Sequence, residues 1–325
     1  MVSKQKAATG LETATPPGGA APAKKPPKQV TAKQRSHRNS LVAYSFIAPN
    51  FIGFGVFTLI PMIAAVILAF LNWDGSWANP ITFAGFGNFA KLIGDTKFLT
   101  ALVNTVLYTL ITVPLTMAAS LGLAMLLNQK IFARNFFRTM MFFPYVASMV
   151  AVTAVWNFLF NPSMGPVNML LKGLGVENLP KWSADPHWIV VMATVILFSV
   201  WKYMGYYMII YLAGLQGVNP ELYEAASLDG ATPWQKFRYV TLPQLKPTTF
   251  FVSIMVVIQC FKVYDIFLMI TNFGPGGKTR VLVSYIYDLA FTNKDYGYAS
   301  AVSMVLFALV LIVTLVQFRG QKNMD

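Results

Sequence analysis

The sequence predicts an all-α, polytopic membrane protein with six transmembrane helices, on three observations. The chain is 56% hydrophobic and only 11% charged, where a soluble domain carries about 25% charged residues. Six separate apolar stretches each reach the roughly 20 residues that a spanning helix needs. The Lys and Arg residues between those stretches are sorted unevenly between alternate loops, as membrane topology requires.

Residues 1–40 come before the first span. They contain Pro16-Pro17-Gly18-Gly19 and Pro26-Pro27 and show no apolar period, so they read as a disordered tail. Eight of the 25 Lys and Arg residues fall in the first 38 positions, with Glu12 the only acid among them. The net charge of +13 is therefore largely a basic tail ahead of an apolar helix. That arrangement suits a cytoplasmic anchor near anionic lipid and does not suit nucleic-acid binding.

The apolar stretches lie at about 41–71, 100–127, 136–160, 188–216, 248–271 and 299–318. The first contains Pro49 and Pro61, which predicts a kink or an interfacial first turn. It exceeds the short apolar core of a cleavable signal peptide and is expected to be retained. The main domain is thus 41–320, with 321–325 as a short C-terminal tail. Six crossings put both termini on one side. That side collects 16 Lys and Arg residues against 7 on the other, so both termini are expected in the cytoplasm. Without the tail the count is 8 to 7, so the tail carries the orientation. The external loops, about 72–99, 161–187 and 272–298, are rich in Gly, Pro, Asn and Trp and read as short re-entrant or interfacial structure. The single cysteine, Cys260, excludes an intramolecular disulfide and reads as a packing residue.

The most informative loop joins the fourth and fifth stretches. Asn219 can cap a helix that starts at Pro220, and Glu221 and Glu224 sit in first turns that favour negative charge. Leu222, Ala225 and Ala226 form an apolar side. Asp229-Gly230 supplies a turn, Thr232-Pro233 restarts a helix through Trp234, Phe237 and Val240, and Leu242-Pro243 ends it. An ordinary amphipathic connector needs only an apolar and a charged face. It does not require Glu224-Ala225-Ala226, Asp229-Gly230-Ala231, Phe237 and Leu242-Pro243 together. These motifs resemble the coupling loop of ABC importer permeases.

The resemblance implies a type I ABC importer permease fold whose 219–243 loop inserts into a cleft of a separate ATPase subunit. Glu221, Glu224, Ala225, Ala226, Asp229, Gly230, Ala231, Phe237, Leu242 and Pro243 are then the ATPase-coupling residues. Glu224 would supply an ion pair, Gly230 the sharp turn, and Ala225 and Ala226 close approach. The likeness extends over roughly 40–320. Arg138, Phe142-Phe143-Pro144, Trp156, Phe160 and Gly165-Pro166-Val167-Asn168 look like the third helix and following loop of maltose-type carbohydrate permeases. Ala213-Gly214-Leu215-Gln216 leads into the coupling loop as it does there. Thr271-Asn272-Phe273-Gly274-Pro275-Gly276-Gly277 resembles that group's Thr-x-Gly-Gly-Pro turn, with Phe273 standing where Gly is usual. Tyr285, Tyr287, Phe291 and Tyr296-Gly297-Tyr298-Ala299-Ser300-Ala301 continue the match. The subfamily takes up oligosaccharides, disaccharides and glycerol phosphates. It implies a bacterial cell-membrane location, a second homologous permease, two ATPase subunits, an extracytoplasmic solute-binding protein and a sugar substrate. ATP and Mg would sit on the partner ATPase, with no cofactor on this chain.

Polar groups inside apolar stretches cost about 2.5–3.5 kcal/mol each on insertion scales when charged, and they usually face a cavity or a partner. The expected substrate-pathway residues are Trp156 and Asn157 in the third stretch, and Trp201, Lys202, Tyr206 and Tyr207 in the fourth. The fifth adds Gln259, Lys262, Tyr264 and Asp265. On a continuous helix Lys262 and Asp265 are i, i+3 neighbours that can pair on one face. Lys202 and Lys262 each lie ~20 Å from the start of their segment, near mid-membrane. Aromatic faces with planar polar groups suit a sugar. A structural ion pair with tyrosines packing between helices is the alternative reading.

No Gly-rich phosphate loop with Lys-Ser/Thr occurs, so the chain is not expected to be an enzyme or to hydrolyse ATP by the usual route. His37 and His187 are isolated, and no Cys/His cluster has zinc spacing. An ion-coupled secondary transporter would normally show two internal repeats, and none is found. An integral-membrane enzyme would need clustered His or Asp at a membrane face. Neither class explains the coupling loop.

Overall fold

The computed structural model describes residues 44–322, Trp77 excepted. The expectations for residues 1–40, for His37 and for 323–325 lie outside the described residues. The chain divides into two units at Ile60 and Pro61. Tyr44–Leu68 (α1) is an apolar helix of 25 residues, in which Gly55–Leu59 widens to a π turn just ahead of Pro61. Proline has no amide to donate and clashes with the carbonyl four residues back. A π turn is one way a helix absorbs that.

In the second unit, strands Leu71–Asn72 (β1) and Thr82–Phe83 (β2) pair antiparallel, with Leu71 opposite Phe83. A short helix Gly87–Gly94 (α2) leads to the 33-residue Thr96–Asn128 (α3). Arg134–Val146 (α4), Met149–Leu159 (α5) and Pro166–Gly173 (α6) follow, then the 29-residue Trp188–Gln216 (α7). Pro220–Leu228 (α8) and Pro233–Gln244 (α9) form a hairpin. Lys246–Phe261 (α10), Asp265–Thr271 (α11), Leu282–Tyr287 (α12) and Tyr296–Lys322 (α13) complete the chain.

Long α3 packs through small residues. Ala101, Thr105, Thr109, Thr112, Thr116, Ser120 and Ala124 recur at intervals of three or four and are buried. Such a ridge lets helix backbones approach closely in lipid, where apolar burial alone gives no driving force between helices. Several hydroxyls bond back one turn, Thr105 to Ala101, Thr109 to Thr105 and Ser120 to Thr116. Tyr108 then crosses to α7, where its hydroxyl donates to Ser199 Oγ at 2.8 Å. The main core gathers Tyr108, Trp156, Phe198, Met208, Tyr211, Phe267 and Cys260, and Cys260 is the fully buried packing residue expected. A second, smaller core at the β1–β2 end holds Phe98, Leu282, Tyr285, Leu289 and Tyr298.

Two of the six predicted spans are not continuous. The third, 136–160, turns by 102° between α4 and α5. Pro144 sits in the last turn of α4, and Ala147 and Ser148 are extended, so the hydrogen-bond ladder cannot continue. The fifth, 248–271, stops at Phe261 and restarts at Asp265, with Tyr264 at φ −141° between them. Among the described residues, four helices are long and apolar enough to cross a membrane, or up to six if each bent pair counts as one span. By helical rise, α4 is about 20 Å long and α10 about 24 Å. The two breaks therefore lie about 20 and 24 Å along their segments from the α8–α9 end.

Candidate functional site

The α8–α9 hairpin folds for local reasons. Asn219 Oδ1 accepts from the Glu221 amide at 3.0 Å, with Pro220 in the first helical turn. Gly230 turns the chain at φ +73°, a conformation that costs a side-chain-bearing residue about 1–2 kcal/mol. Thr232 and Gln235 then form a reciprocal capping box. Two bonds close the arms on each other: Tyr223 Oη to Thr241 Oγ1 at 3.0 Å and Lys236 Nζ to Ser227 Oγ at 2.7 Å. The second arm differs from expectation. It does not end at Leu242-Pro243 but passes through a π turn, Phe237–Thr241, and runs on to Gln244. Pro243 sits near the start of the turn after the π segment, so the helix loses little at that point. It ends at Leu245, where α10 departs at 69°. Glu221, Glu224, Ala225, Asp229 and Gly230 are exposed, while Ala226, Ala231, Phe237, Leu242 and Pro243 are half-buried. Leu228, Trp234 and Tyr239 also stand out at 89%, 69% and 73% exposure.

At mid-span the two breaks bring the other predicted residues into one neighbourhood. Asn157 Nδ2 donates to the Met269 carbonyl at 3.1 Å, tying α5 to α11. Trp156 stacks on Phe160 at 4.2 Å and lies 5.4 Å from Trp201. The Trp156 Nε1–H and Asn157 Oδ1 are buried without a hydrogen-bond partner among the described residues. Tyr206 stacks on Tyr145 at 4.4 Å and 15°. Gln259 Nε2 donates to Tyr203 Oη at 3.0 Å. Tyr207 is buried in the core, and Tyr264 lies 5.3 Å from Tyr287.

Two lysines with the same sequence signal take different places. Lys202 is only 7% exposed, and its ammonium donates to the Pro144 carbonyl at 2.9 Å. That carbonyl belongs to the last turn of α4, which has no amide ahead to satisfy it, and a cation there also complements the helix dipole. One turn away Gly205 has no Cβ to keep α4 off; an added Cβ would sit 1.8 Å from the Met141 carbonyl oxygen. Lys262, in contrast, ends α10 and is exposed, as is Asp265 at the head of α11. The expected i, i+3 pairing on one helix face is thereby corrected. The break at 262–264 separates the two side chains onto different helices, and the ion pairs among the described residues involve neither.

Several contributors escaped the sequence reading. Tyr145 completes the aromatic contact of Tyr206, and the run Phe143-Pro144-Tyr145 marked the spot. Asn104 was the visible signal in α3, a lone amide in an apolar stretch. It donates to the Lys278 and Arg280 carbonyls at 2.7 and 2.8 Å and fixes the loop after α11. Asp95, the N-cap of α3, accepts from the hydroxyls of Tyr298 at 2.7 Å and Tyr285. Burial raises its pKa, but those two hydroxyls and the Phe98 and Lys97 amides outweigh that and hold it below the usual carboxylate value. His187 is exposed and pairs with Asp185 at 3.2 Å.

A multi-pass helical bundle with spans interrupted at mid-bilayer and an exposed, capped helical hairpin at one end defines a membrane transport subunit. Residues 111–322 match the family described as "binding-protein-dependent transport system inner membrane component", and the chain belongs to it. It is 35% identical over 290 residues to the probable ABC transporter permease protein YurN of Bacillus subtilis (strain 168), covering 88% of this chain and 98% of that one. It is also 35% identical over 286 residues to the lactose transport system permease protein LacF of Rhizobium radiobacter, covering 86% and 93%. Among solved structures it is similar to a chain of a bacterial alginate ABC transporter in complex with alginate pentasaccharide-bound periplasmic protein. That likeness has a TM-score of 0.74 and 25% identity, and covers 87% of this chain and 94% of the other.

Proposed function

We propose that the chain forms half of the translocation path of an ATP-driven sugar importer and takes an oligosaccharide or a disaccharide. The observation that carries this reading is the interrupted span at 262–264 with Lys262 and Asp265 exposed at bilayer depth. Irregular backbone and charged groups are tolerated at that depth only inside protein or along a water-filled cavity. The face bearing them is therefore a cavity wall. Trp156, Asn157, Trp201, Tyr206, Tyr207, Gln259 and Tyr264 share its neighbourhood, with Gln259 exposed and Trp156 and Tyr207 packed behind it. Lys202 acts behind this wall by holding the end of α4. The lactose named for LacF and the alginate pentasaccharide of the solved complex support carbohydrate as the cargo class.

In this reading a second permease closes the cavity and an extracytoplasmic solute-binding protein delivers the sugar. Two ATPase subunits hold ATP and Mg and receive the α8–α9 hairpin through Glu221, Glu224, Ala225, Ala226, Asp229, Gly230 and Ala231. The hairpin end and both termini face the cytoplasm. The test is uptake in the native host, with its chromosomal copy replaced, of radiolabelled lactose, a labelled oligosaccharide and sn-glycerol 3-phosphate. At least one sugar should be taken up. Gly230→Pro, which cannot adopt φ +73°, should abolish uptake at an unchanged membrane level. Uptake of glycerol phosphate alone would replace the sugar assignment, and full transport by Gly230→Pro would remove the docking role.

A further inference from the structure

The wall of the break does not stop at Tyr264. Its ring lies 5.9 Å from Phe273 and 5.3 Å from Tyr287, and Tyr287 lies 4.8 Å from Phe291. Tyr287 is 45% exposed and Phe291 64% exposed. Phe273 is buried and backs Tyr264, and the rings of Tyr264, Tyr287 and Phe291 form a continuous aromatic surface that starts beside the exposed Lys262 and Asp265.

The segment that carries this surface is held firmly. Asn104 fixes the Lys278 and Arg280 carbonyls, and the Leu282 amide donates to Thr105 Oγ1 at 2.8 Å. Thr105 is nine residues into α3, so α12 begins about 14 Å below that end of the helix. Tyr285 then reaches back up to Asp95 at the head of α3. Helix α12 therefore climbs from within the bundle toward the β1–β2 end, with Tyr287 at its last residue and Phe291 in the π turn that continues it. Phe291 sits in a π turn, Asp288–Thr292, a feature frequent at functional sites. At the lower end Asn272 and Phe273 both take left-handed backbone, φ +46° and +59°. Bulky residues are outliers there, and such strain persists only where the surroundings impose it. Its result here is the Phe273 ring against Tyr264.

We propose that Tyr264, Tyr287 and Phe291 form a stacking platform for sugar rings, lining the path from the extracytoplasmic mouth to the break. The inference rests on the sugar-import reading above. Exposed aromatic rings beside lipid are common near the interface, but the neighbouring Lys262 and Asp265 place this face on water or protein. A sugar presents an apolar C–H face to a ring and hydroxyls to charged or amide groups at the edge, and this wall supplies both. Phe291, the most exposed ring, makes the first contact.

The test compares initial uptake, below saturation, of labelled lactose and a labelled oligosaccharide by the complete transporter. Tyr287→Leu with Phe291→Leu keeps apolar volume and removes both rings. It should lower the rate about tenfold, the scale of two lost stacking contacts. Tyr287→Phe with Phe291→Trp, which keeps both rings, should retain more uptake than the Leu pair. Undiminished uptake by the Leu pair overturns the platform. Failure of the Leu pair to co-purify with the second permease also overturns it, in favour of a subunit contact. Gln259→Ala, measured in parallel, separates the two levels of the argument. If Gln259→Ala impairs uptake and the Leu pair does not, only the platform fails. If the unaltered protein takes up neither sugar, the sugar reading fails with it.

Discussion

The seat of α4 on α7 allows a perturbation whose size follows from distances. An alanine at Gly205 places its Cβ 1.8 Å from the Met141 carbonyl oxygen, 2.5 Å from its carbon and 3.0 Å from Phe142 Cα. All three are backbone atoms of a helix, so no side-chain rotation relieves the clash. Reaching the 3.4 Å of ordinary contact requires α4 to retreat by about 1.6 Å. The Lys202–Pro144 bond, 2.9 Å long and one turn away, would open past about 4 Å, beyond hydrogen-bond range. Overpacking costs about 1–3 kcal/mol, and the stranded carbonyl adds about 1–3 kcal/mol. The control is Gly122→Ala, also inside a long helix but with no atom within 4 Å of the added Cβ. There alanine should be neutral or should help by about 1 kcal/mol. Thermal midpoints of the detergent-solubilised, fluorescently tagged protein should fall for Gly205→Ala and hold or rise for Gly122→Ala. Uptake should follow the same order. Equal midpoints and equal transport for the two variants would refute the close seat and the role given to Lys202.

Orientation is open to direct labelling. In a Cys260→Ala background, a cysteine at Gln129 should resist impermeant thiol reagents applied to intact cells, and one at Asn178 should react; strong labelling at Gln129 would invert or break the six-crossing topology. Asp95 gives a pH dependence with a defined sign. Its pKa in the folded state is lowered, so its contribution to stability is present above the unfolded carboxylate value, about pH 4, and is lost as pH falls through the folded value. Asp95→Asn should therefore lower the thermal midpoint at pH 7, and the difference from the unaltered protein should shrink in acid; a constant difference down to pH 3 would remove the ionised carboxylate from that knot.

Hydropathy alone revealed where the chain enters the bilayer, because a run of apolar residues is unfavourable anywhere else. It could not reveal that 136–160 and 248–271 are broken. A break near mid-bilayer is still apolar in composition, and it depends on which backbone groups find partners in other helices. Pro144 was a local hint, but Pro114 stands inside the unbroken α3, so proline did not decide the matter. In the α8–α9 hairpin the caps and the turn were legible because Asn219, Pro220, Gly230 and Thr232 act on their own neighbours. The arm beyond Phe237 was misjudged at Leu242-Pro243 because a π turn, which no residue type announces, lets the helix run on to Gln244.

Lys202 and Lys262 show where residue chemistry needs tertiary context. Both are single cations in apolar stretches at similar depth, and both had to face either water or a partner. Lys202 has α4 ending in front of it, with a spare carbonyl 2.9 Å away, and Gly205 beside it bringing that helix close. Its charge is used up in holding a broken span in place. Lys262 has no such helix end to meet: it terminates its own helix, and Asp265 opens the next. The two charges stay exposed because the break between them prevents them from sharing a helix face. One broken span thus has a buried lysine bonded to its helix end, while the other leaves a lysine and an aspartate exposed. In the proposed sugar path the first arrangement keeps the wall in shape, and the second leaves polar groups on it that are not already committed to the protein.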